Sequence, residues 1–374
     1  MRVLIATVTA GAGHLAAAAA LEEAWSALRP KDTLQRVDVL DYTPRFFRKA
    51  YSQGYVKLVE HAPELYAAVF RRTDNARLVR RLSQVRRTLS LLPGRKFITF
   101  LRRFKPDVVL CPHFLPLEIL GHLQSQGRNW KPPYTVCIVT DFEAHALWME
   151  PSVDLYCVAA EETGVRLVAR GVAPEAVVAT GIPVAAKFSQ PPAPHVARRQ
   201  LGLRDDLPVL LALSGGFGMG PVAKILGALD QTGCEIQIVV VCGRNQTLRR
   251  ELAARDRRHP THVLGFVDNM HELMAASAVI LTKPGGLTSS EALALGKPMV
   301  ILDPIPGQET ANADFLLERG AAIKLNSVDD LPFRLHRLLG SKKLAAMAEA
   351  ARALGRPGAA RAVCAEVLRR MPEV

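Results

Sequence analysis

The stretch VILTKPGGLTSSEALALGKPMVILDPIPGQETANADFLLERGAA, Val279 to Ala322, runs strand, glycine turn, helix, strand, proline-rich loop, helix. Both loops fall where a strand gives way to a helix, and a chain patterned this way closes into a parallel sheet covered by helices. Ligands of such sheets sit beyond the carboxyl ends of the strands. Val279–Thr282 is an apolar strand, Gly285 and Gly286 make the turn, and Leu287–Leu295 reads as the helix. A helix starting there offers open N–H groups and a positive dipole end to an anion such as a diphosphate. The second loop delivers Gln308, Glu309 and Asn312, a polar trio suited to sugar hydroxyls, although polar residues also simply favour helix starts. A diphosphate seat beside such a trio points to a nucleotide-sugar site.

The same alternation fills the chain. Strands are predicted at Val3–Val8, Arg36–Leu40, Val108–Cys111, Thr135–Val139, Leu155–Val158 and Ala176–Thr180, with helices at Leu15–Leu28, Pro116–Gln126 and Glu162–Arg170 between them. A long basic helical insertion spans about Pro44 to Leu92. The run Ser189–His195, SQPPAPH, reads as a linker because proline stiffens a segment and removes donors. Strands then restart at Val209–Leu213, Ile236–Cys242 and Val263–Phe266. The expectation is an α/β chain of two Rossmann-like doubly wound domains, 1–190 and 195–355, with a cleft between them. GRPG at Gly355–Gly358 separates off a last helix, within 356–374.

Composition narrows the class. Half of the 374 residues are apolar and glycine and proline are dispersed, as in a globular α/β protein. The opening MRVLIATVTAGAGH has too short an apolar run for a secretory signal and reads as a first strand entering a glycine loop. No apolar run approaches the roughly 20 residues that span a bilayer, so a cytoplasmic protein, soluble or peripheral to the membrane, is expected. Six cysteines, none in a CxxC pair, sit mostly in strand-like runs and read as buried thiols. The net charge of +13 is concentrated: Arg71 to Lys105 holds twelve Lys or Arg and one acid, Asp74. Arg72, Arg80, Arg81, Arg86 and Arg87 alternate with apolar residues, the pattern of a basic amphipathic helix drawn to anionic lipid. A plain solvated face is the alternative. Nucleic acid is not expected, because interleaved aromatics and a recognition motif are missing.

Other motifs carry competing readings. Gly11–Ala16 fits GxGxxA, a weak dinucleotide signal for which Asp41 could serve as the ribose acid. Its unusual member is His14, which fits a general base or acceptor-binding group better than a purely structural turn. Ser214–Gly220, SGGFGMG, places Gly215, Gly216 and Phe217 after an apolar strand, either as a phosphate cradle or as a flexible turn. Glu291 either hydrogen-bonds ribose hydroxyls or closes a capping box begun at Thr288. Arg244 could neutralise a diphosphate or be an ordinary surface residue. Asp141 and His145, four residues apart after a strand, could assist proton transfer or bond one another structurally. There is no DxD, HxxxH or HExxH, so no metal site and no cofactor beyond the sugar nucleotide is expected.

GAGH, TDFEAHALW, SGGFGMG, CGRN, GFVDNM, KPGGLTSSEAL and PIPGQETANA occur here in the order seen in glycosyltransferase family 28. The resemblance spans nearly the whole chain and is nearest to monogalactosyldiacylglycerol synthases and bacterial diacylglycerol glucosyltransferases. It implies a GT-B fold with an acceptor domain, a UDP-sugar domain and a C-terminal helix returning to the first. It further implies Phe266 and Val267 at the uracil, Glu291 at the ribose, and Gly216 and Thr288 at the diphosphate. Gln308 and Glu309 would hold the hexose, and His14 would take the proton of a lipid hydroxyl, with Gly13 and Trp148 beside the acceptor. The expected reaction moves a hexose from UDP-glucose or UDP-galactose to diacylglycerol with inversion, on the inner face of the cell membrane. A UDP-GlcNAc-dependent transferase to another lipid, a UDP-sugar epimerase and a non-catalytic basic binding module are the competing readings.

Overall fold

The computed structural model describes residues 1–9, 11–75, 94–125, 131–214 and 221–371. These divide into two compact units, Met1–Ala186 with Pro306–Gln308 and Gly358–Val374, and Lys187–Ile305 with Glu309–Pro357.

In the first unit the elements are β1 (Arg2–Thr7), α1 (Ala12–Leu28), β2 (Thr33–Asp38), α2 (Arg45–His61), α3 (Pro63–Thr73), α4 (helical over 94–104), β3 (Val108–Cys111), α5 (Phe114–Ser125), β4 (Tyr134–Ile138), β5 (Leu155–Val158), α6 (Glu161–Ala169) and β6 (Val177–Ala179). The strands form one parallel sheet in the order β2-β1-β3-β4-β5-β6. β3, β4 and β5 read as continuous apolar runs because helices cover both faces. Val3 and Ile5 face Leu21 and Trp25 of α1, while Leu4 and Ala6 face the side that holds Phe97 and Leu101.

The second unit comprises α7 (Pro194–Gln200), β7 (Val209–Leu213), α8 (Val222–Leu229), β8 (Gln237–Val241), α9 (Gln246–Ala253), β9 (Thr261–Leu264), α10 (Met270–Ala276), β10 (Val279–Thr282), α11 (Gly286–Ala294), β11 (Met299–Leu302), α12 (Gln308–Glu318), β12 (Ala322–Leu325), α13 (Leu331–Leu338) and α14 (Lys342–Leu354). The last helix, α15 (Ala359–Arg370), belongs to the first unit, where Val363, Cys364 and Val367 join Leu21 and Trp25 in one core. The second sheet is also parallel, ordered β12-β11-β10-β7-β8-β9, the doubly wound order. β12, α7 and α13 are elements that the sequence reading leaves unassigned. Pro194 and His195, read as linker, open α7, since proline suits the first helical turn.

One turn shows how sequence sets these bounds. α11 stops at Gly296, whose φ of +62° suits glycine. There the Gly296 and Lys297 amides donate back to Leu293 and Ala292 at 2.9 Å each, satisfying carbonyls the helix end would leave open. Among the described residues no helix is long and apolar enough to cross a membrane.

Candidate active site

In the first sheet the chain runs outward from β1 to β2 on one side and from β3 onward on the other, so the switch point lies between β1 and β3. His14 stands there. It lies in the first turn of α1, which begins at Ala12 rather than Leu15, with extended Gly11 as its cap. Much of the GxGxxA segment is therefore helix. The His14 Nδ1 atom is 2.9 Å from the Pro112 carbonyl oxygen and 3.1 Å from the Thr140 hydroxyl oxygen. A carbonyl only accepts, so Nδ1 carries the proton and donates it. Nε2 is then left with its lone pair, the form a general base needs. Burial lowers the His14 pKa to about 4, with the Pro112 bond opposing, so the ring is neutral around pH 7. His113 meets it edge-on with centroids 4.8 Å apart, and buried Trp148 lies at 6.4 Å. Gly13, also in the first turn of α1, is partly exposed.

Asp38, which ends β2, accepts the Thr9 amide at 3.2 Å and the Leu40 amide at 2.9 Å. Asp41 lies beyond β2 and pairs with Arg48 at 2.5 Å. The acid at the end of the strand is thus Asp38, held by main-chain amides, whereas Asp41 lies past it in an exposed ion pair.

His145 is buried with both ring nitrogens engaged. Nδ1 accepts the Leu147 amide at 3.0 Å, and Nε2 donates to the Phe70 carbonyl at 3.0 Å. Neither nitrogen is open for proton transfer, so the ring serves to brace the loop 140–148; Asp141 beside it is partly exposed. Asp74 completes this bracing, accepting from the Ala146 amide (2.8 Å), Arg170 (2.7 and 2.8 Å) and Arg166 (3.0 Å). Burial alone would raise its pKa, but these donors and positive charges outweigh that and hold it at about 2.

In the second unit the switch point lies between β7 and β10. α11 starts at Gly286 with Gly285 as its cap and no capping side chain. The first-turn amides of Gly286, Leu287 and Thr288 are therefore open to an anion. Because the helix starts there, Glu291 is in its second turn and cannot close a capping box. Burial pushes the Glu291 carboxyl up to about 8, the Lys187 charge opposing. Glu309, on the first turn of α12, accepts the Ile305 amide at 2.7 Å through Oε2. Its other oxygen lies 3.7 Å from where a Gly285 Cβ would stand, which brings the α12 and α11 starts together. Gln308 opens α12. Asn312 is fully buried and faces the scaffold, so it parts company with the other two. Arg244 rests over the ring of Phe266 at 5.5 Å, and Phe266 is 65% exposed beside Val267.

A cleft at the carboxyl ends of β7, β10 and β11 is lined by Ser214, Thr282, Lys283 and Asp303. The Lys283 ammonium is 3.6 Å from Asp303, which sits in the left-handed region at φ 51°. Strained backbone of this kind gathers at functional sites. The sequence reading missed Thr140, His113, Lys283 and Asp303. Of these, Lys283 and Asp303 directly follow apolar strands, a signal available in the pattern. Gly215, Gly216, Phe217, Arg80, Arg81, Arg86 and Arg87 lie outside the described residues, while Arg72 is exposed at the end of α3. Among the described residues no group of three metal-ligating side chains occurs.

Residues 14–184 match the family described as monogalactosyldiacylglycerol (MGDG) synthase, and residues 221–362 the glycosyltransferase family 28 C-terminal domain. A processive diacylglycerol beta-glucosyltransferase of Bacillus thuringiensis (strain Al Hakam) is 30% identical over 370 residues, covering 95% of this chain and 90% of the relative. Among solved structures, MurG of Acinetobacter baumannii superposes with a TM-score of 0.63 at 17% identity, covering 99% of each chain. Anabaena Alr3699/HepE in complex with UDP-glucose gives 0.57 at 15% identity, covering 99% of this chain and 100% of that one. These two likenesses show the fold, GT-B.

Proposed function

The chain belongs to glycosyltransferase family 28 and is a hexosyltransferase, and from that premise we propose that it moves glucose from UDP-glucose to the free hydroxyl of a diacylglycerol. The observation that carries the reading is the orientation of His14, with Nδ1–H fixed on Pro112 and Nε2 left as a base. Glucose is favoured over galactose by the name of the relative that spans nearly the whole chain.

In the proposed step Nε2 of His14 takes the acceptor hydroxyl proton as that oxygen bonds to C1 of the sugar. The bond from C1 to the diphosphate oxygen breaks on the opposite face, and its electron pair leaves with UDP. One displacement inverts C1 and gives a β-linkage. The open amides of Gly286, Leu287 and Thr288 would meet the diphosphate charge as it develops. Glu291 would hold the ribose, Phe266, Val267 and Arg244 the uracil, and Gln308 and Glu309 the hexose. A base in place contributes about 10²–10⁴ in rate.

An acceptor that lives in a bilayer calls for contact with its surface. Phe46 on α2 is 84% exposed and Leu65 and Val69 on α3 are 57% and 47% exposed, with Arg71 and Arg72 beside them. This apolar and basic composition supports peripheral attachment to the cytoplasmic face of an anionic membrane. Incubation with a diacylglycerol and separate UDP-hexoses, followed by mass spectrometry and proton NMR of the lipid, tests the reading. β-Glucosyl-diacylglycerol is expected; product from no UDP-hexose sinks it.

A further inference from the structure

Helix α13, LPFRLHRL, has two unlike faces. Leu331, Leu335 and Leu338 are buried in the second unit's core. Phe333 stands 62% exposed, with Arg334 and Arg337 exposed around it and the Arg337 guanidinium 5.7 Å over its ring. A groove of about 430 Å³ runs beside this ring, lined by Ile323, Phe333, Arg334, Arg337, Leu338, Ser341 and Lys343. From Leu331 to Ala348 the chain carries Arg334, Arg337, Lys342 and Lys343 and no acid; the flanking carboxylates are Asp329, Asp330 and Glu349. Among the described residues none of these four cations makes an ion pair. An exposed aromatic ringed by unneutralised cations, beside a groove in which those cations adjoin Ile323 and Leu338, matches the interface of an anionic bilayer. The ring enters the acyl boundary while the cations meet lipid phosphates.

We propose that the α13 face, with Lys342 and Lys343, is a docking surface for anionic phospholipid bilayers, separate from the basic segment of the first unit. The identification of the bilayer as occupant rests on the reading of a membrane-resident acceptor. Neither α13 nor its neighbours carry any residue assigned above to donor binding or proton transfer.

The test is co-sedimentation of the full chain with vesicles of phosphatidylcholine alone and of phosphatidylcholine with phosphatidylglycerol, alongside transfer to a short-chain, water-soluble diacylglycerol. Wild type should bind only the mixed vesicles. Phe333→Ala should weaken that binding about tenfold, and each of Arg334→Gln and Arg337→Gln about fivefold, with transfer to the soluble acceptor unchanged. The two arginine variants leave the apolar contacts in place, so they report docking even where Phe333→Ala alters the fold. Variants that bind mixed vesicles as wild type does overturn the proposal, as does a wild type indifferent to phosphatidylglycerol. Vesicle binding lost in the variants, with no glycolipid made by wild type, rejects the acceptor reading and leaves the docking surface standing.

Discussion

The His14 Nδ1 atom lies 2.9 Å from the main-chain oxygen of Pro112, and that single contact decides which end of the ring can act. It joins the first turn of α1 to the end of β3 across the switch point of the sheet. Replacing His14 with Ala should lower kcat by about 10²–10⁴ and leave UDP affinity, read by calorimetry, unchanged. Turnover at the wild-type rate would remove His14 from the reaction.

The pH profile follows from the same ring. With a pKa lowered to about 4 by burial, His14 is neutral and active at neutral pH, and protonation inactivates it. Transfer should stay flat as pH falls towards about 5 and drop as it passes about 4, by the base logic. Stability moves the same way: the unfolded ring protonates near the ordinary histidine value of 6.5, so the fold loses support as pH falls from there to about 4. An acid limb near pH 6.5 would show that the ring is not buried as described.

Glu291 calls for a contrast of two substitutions. A carboxyl pushed up to about 8 is neutral at pH 7, where it can donate one hydrogen bond and accept another. Glu291→Gln keeps both capacities and should bind UDP-glucose within about threefold of wild type, whereas Glu291→Ala should weaken it by about 1–3 kcal/mol. Equal losses in the two variants would mean that the charged form is what the ligand needs.

Asp74 sets an acid limit on the first unit. Its folded pKa of about 2 lies below the ordinary aspartate value of 3.8, so its contribution is complete above 3.8 and disappears as pH falls through about 2. The shift corresponds to about 2 kcal/mol. Asp74→Asn should therefore cost about that much at pH 7 and much less near pH 2, as measured by urea unfolding. A cost that is the same at both pH values would place the effect in packing rather than charge.

Gly355 lies where α14 leaves α11, and a Cβ there would come 2.4 Å from the Leu293 carbonyl oxygen. Its φ of −60° would suit any residue, so the restriction is one of space. Gly355→Ala should destabilise the second unit by about 1–3 kcal/mol, lowering the melting temperature by several degrees in calorimetry.

The parallel sheets were legible because their strands are short apolar runs with glycine or proline close by, and β3, β5, β7 and β10 have the bounds that pattern gives. α13 was harder to see. Its three inward leucines are separated by proline, phenylalanine, arginines and a histidine, and its cap residue, Asp330, makes no side-chain cap hydrogen bond. At the site, His14 and Glu291 stood out as polar residues beside glycine turns, but the burial that shifts both groups did not follow from the turn. Thr140 and Pro112 did not stand out, since a contact across 126 or 98 residues leaves no local trace. His145 misled because its spacing from Asp141 resembles a catalytic pair, whereas Phe70, far away in the chain, is what engages it.

The packing of α15 on α1 bears on how the protein is made. Val363, Cys364 and Val367 finish the hydrophobic layer that Leu21 and Trp25 begin. On the ribosome the opening half therefore emerges early yet keeps a bare greasy flank until the closing helix is translated. The middle portion holds its own layer and can set beforehand. Nascent chains halted before Val363 should remain protease-sensitive across the early strands and cling to chaperones, a vulnerability expected of discontinuous domains.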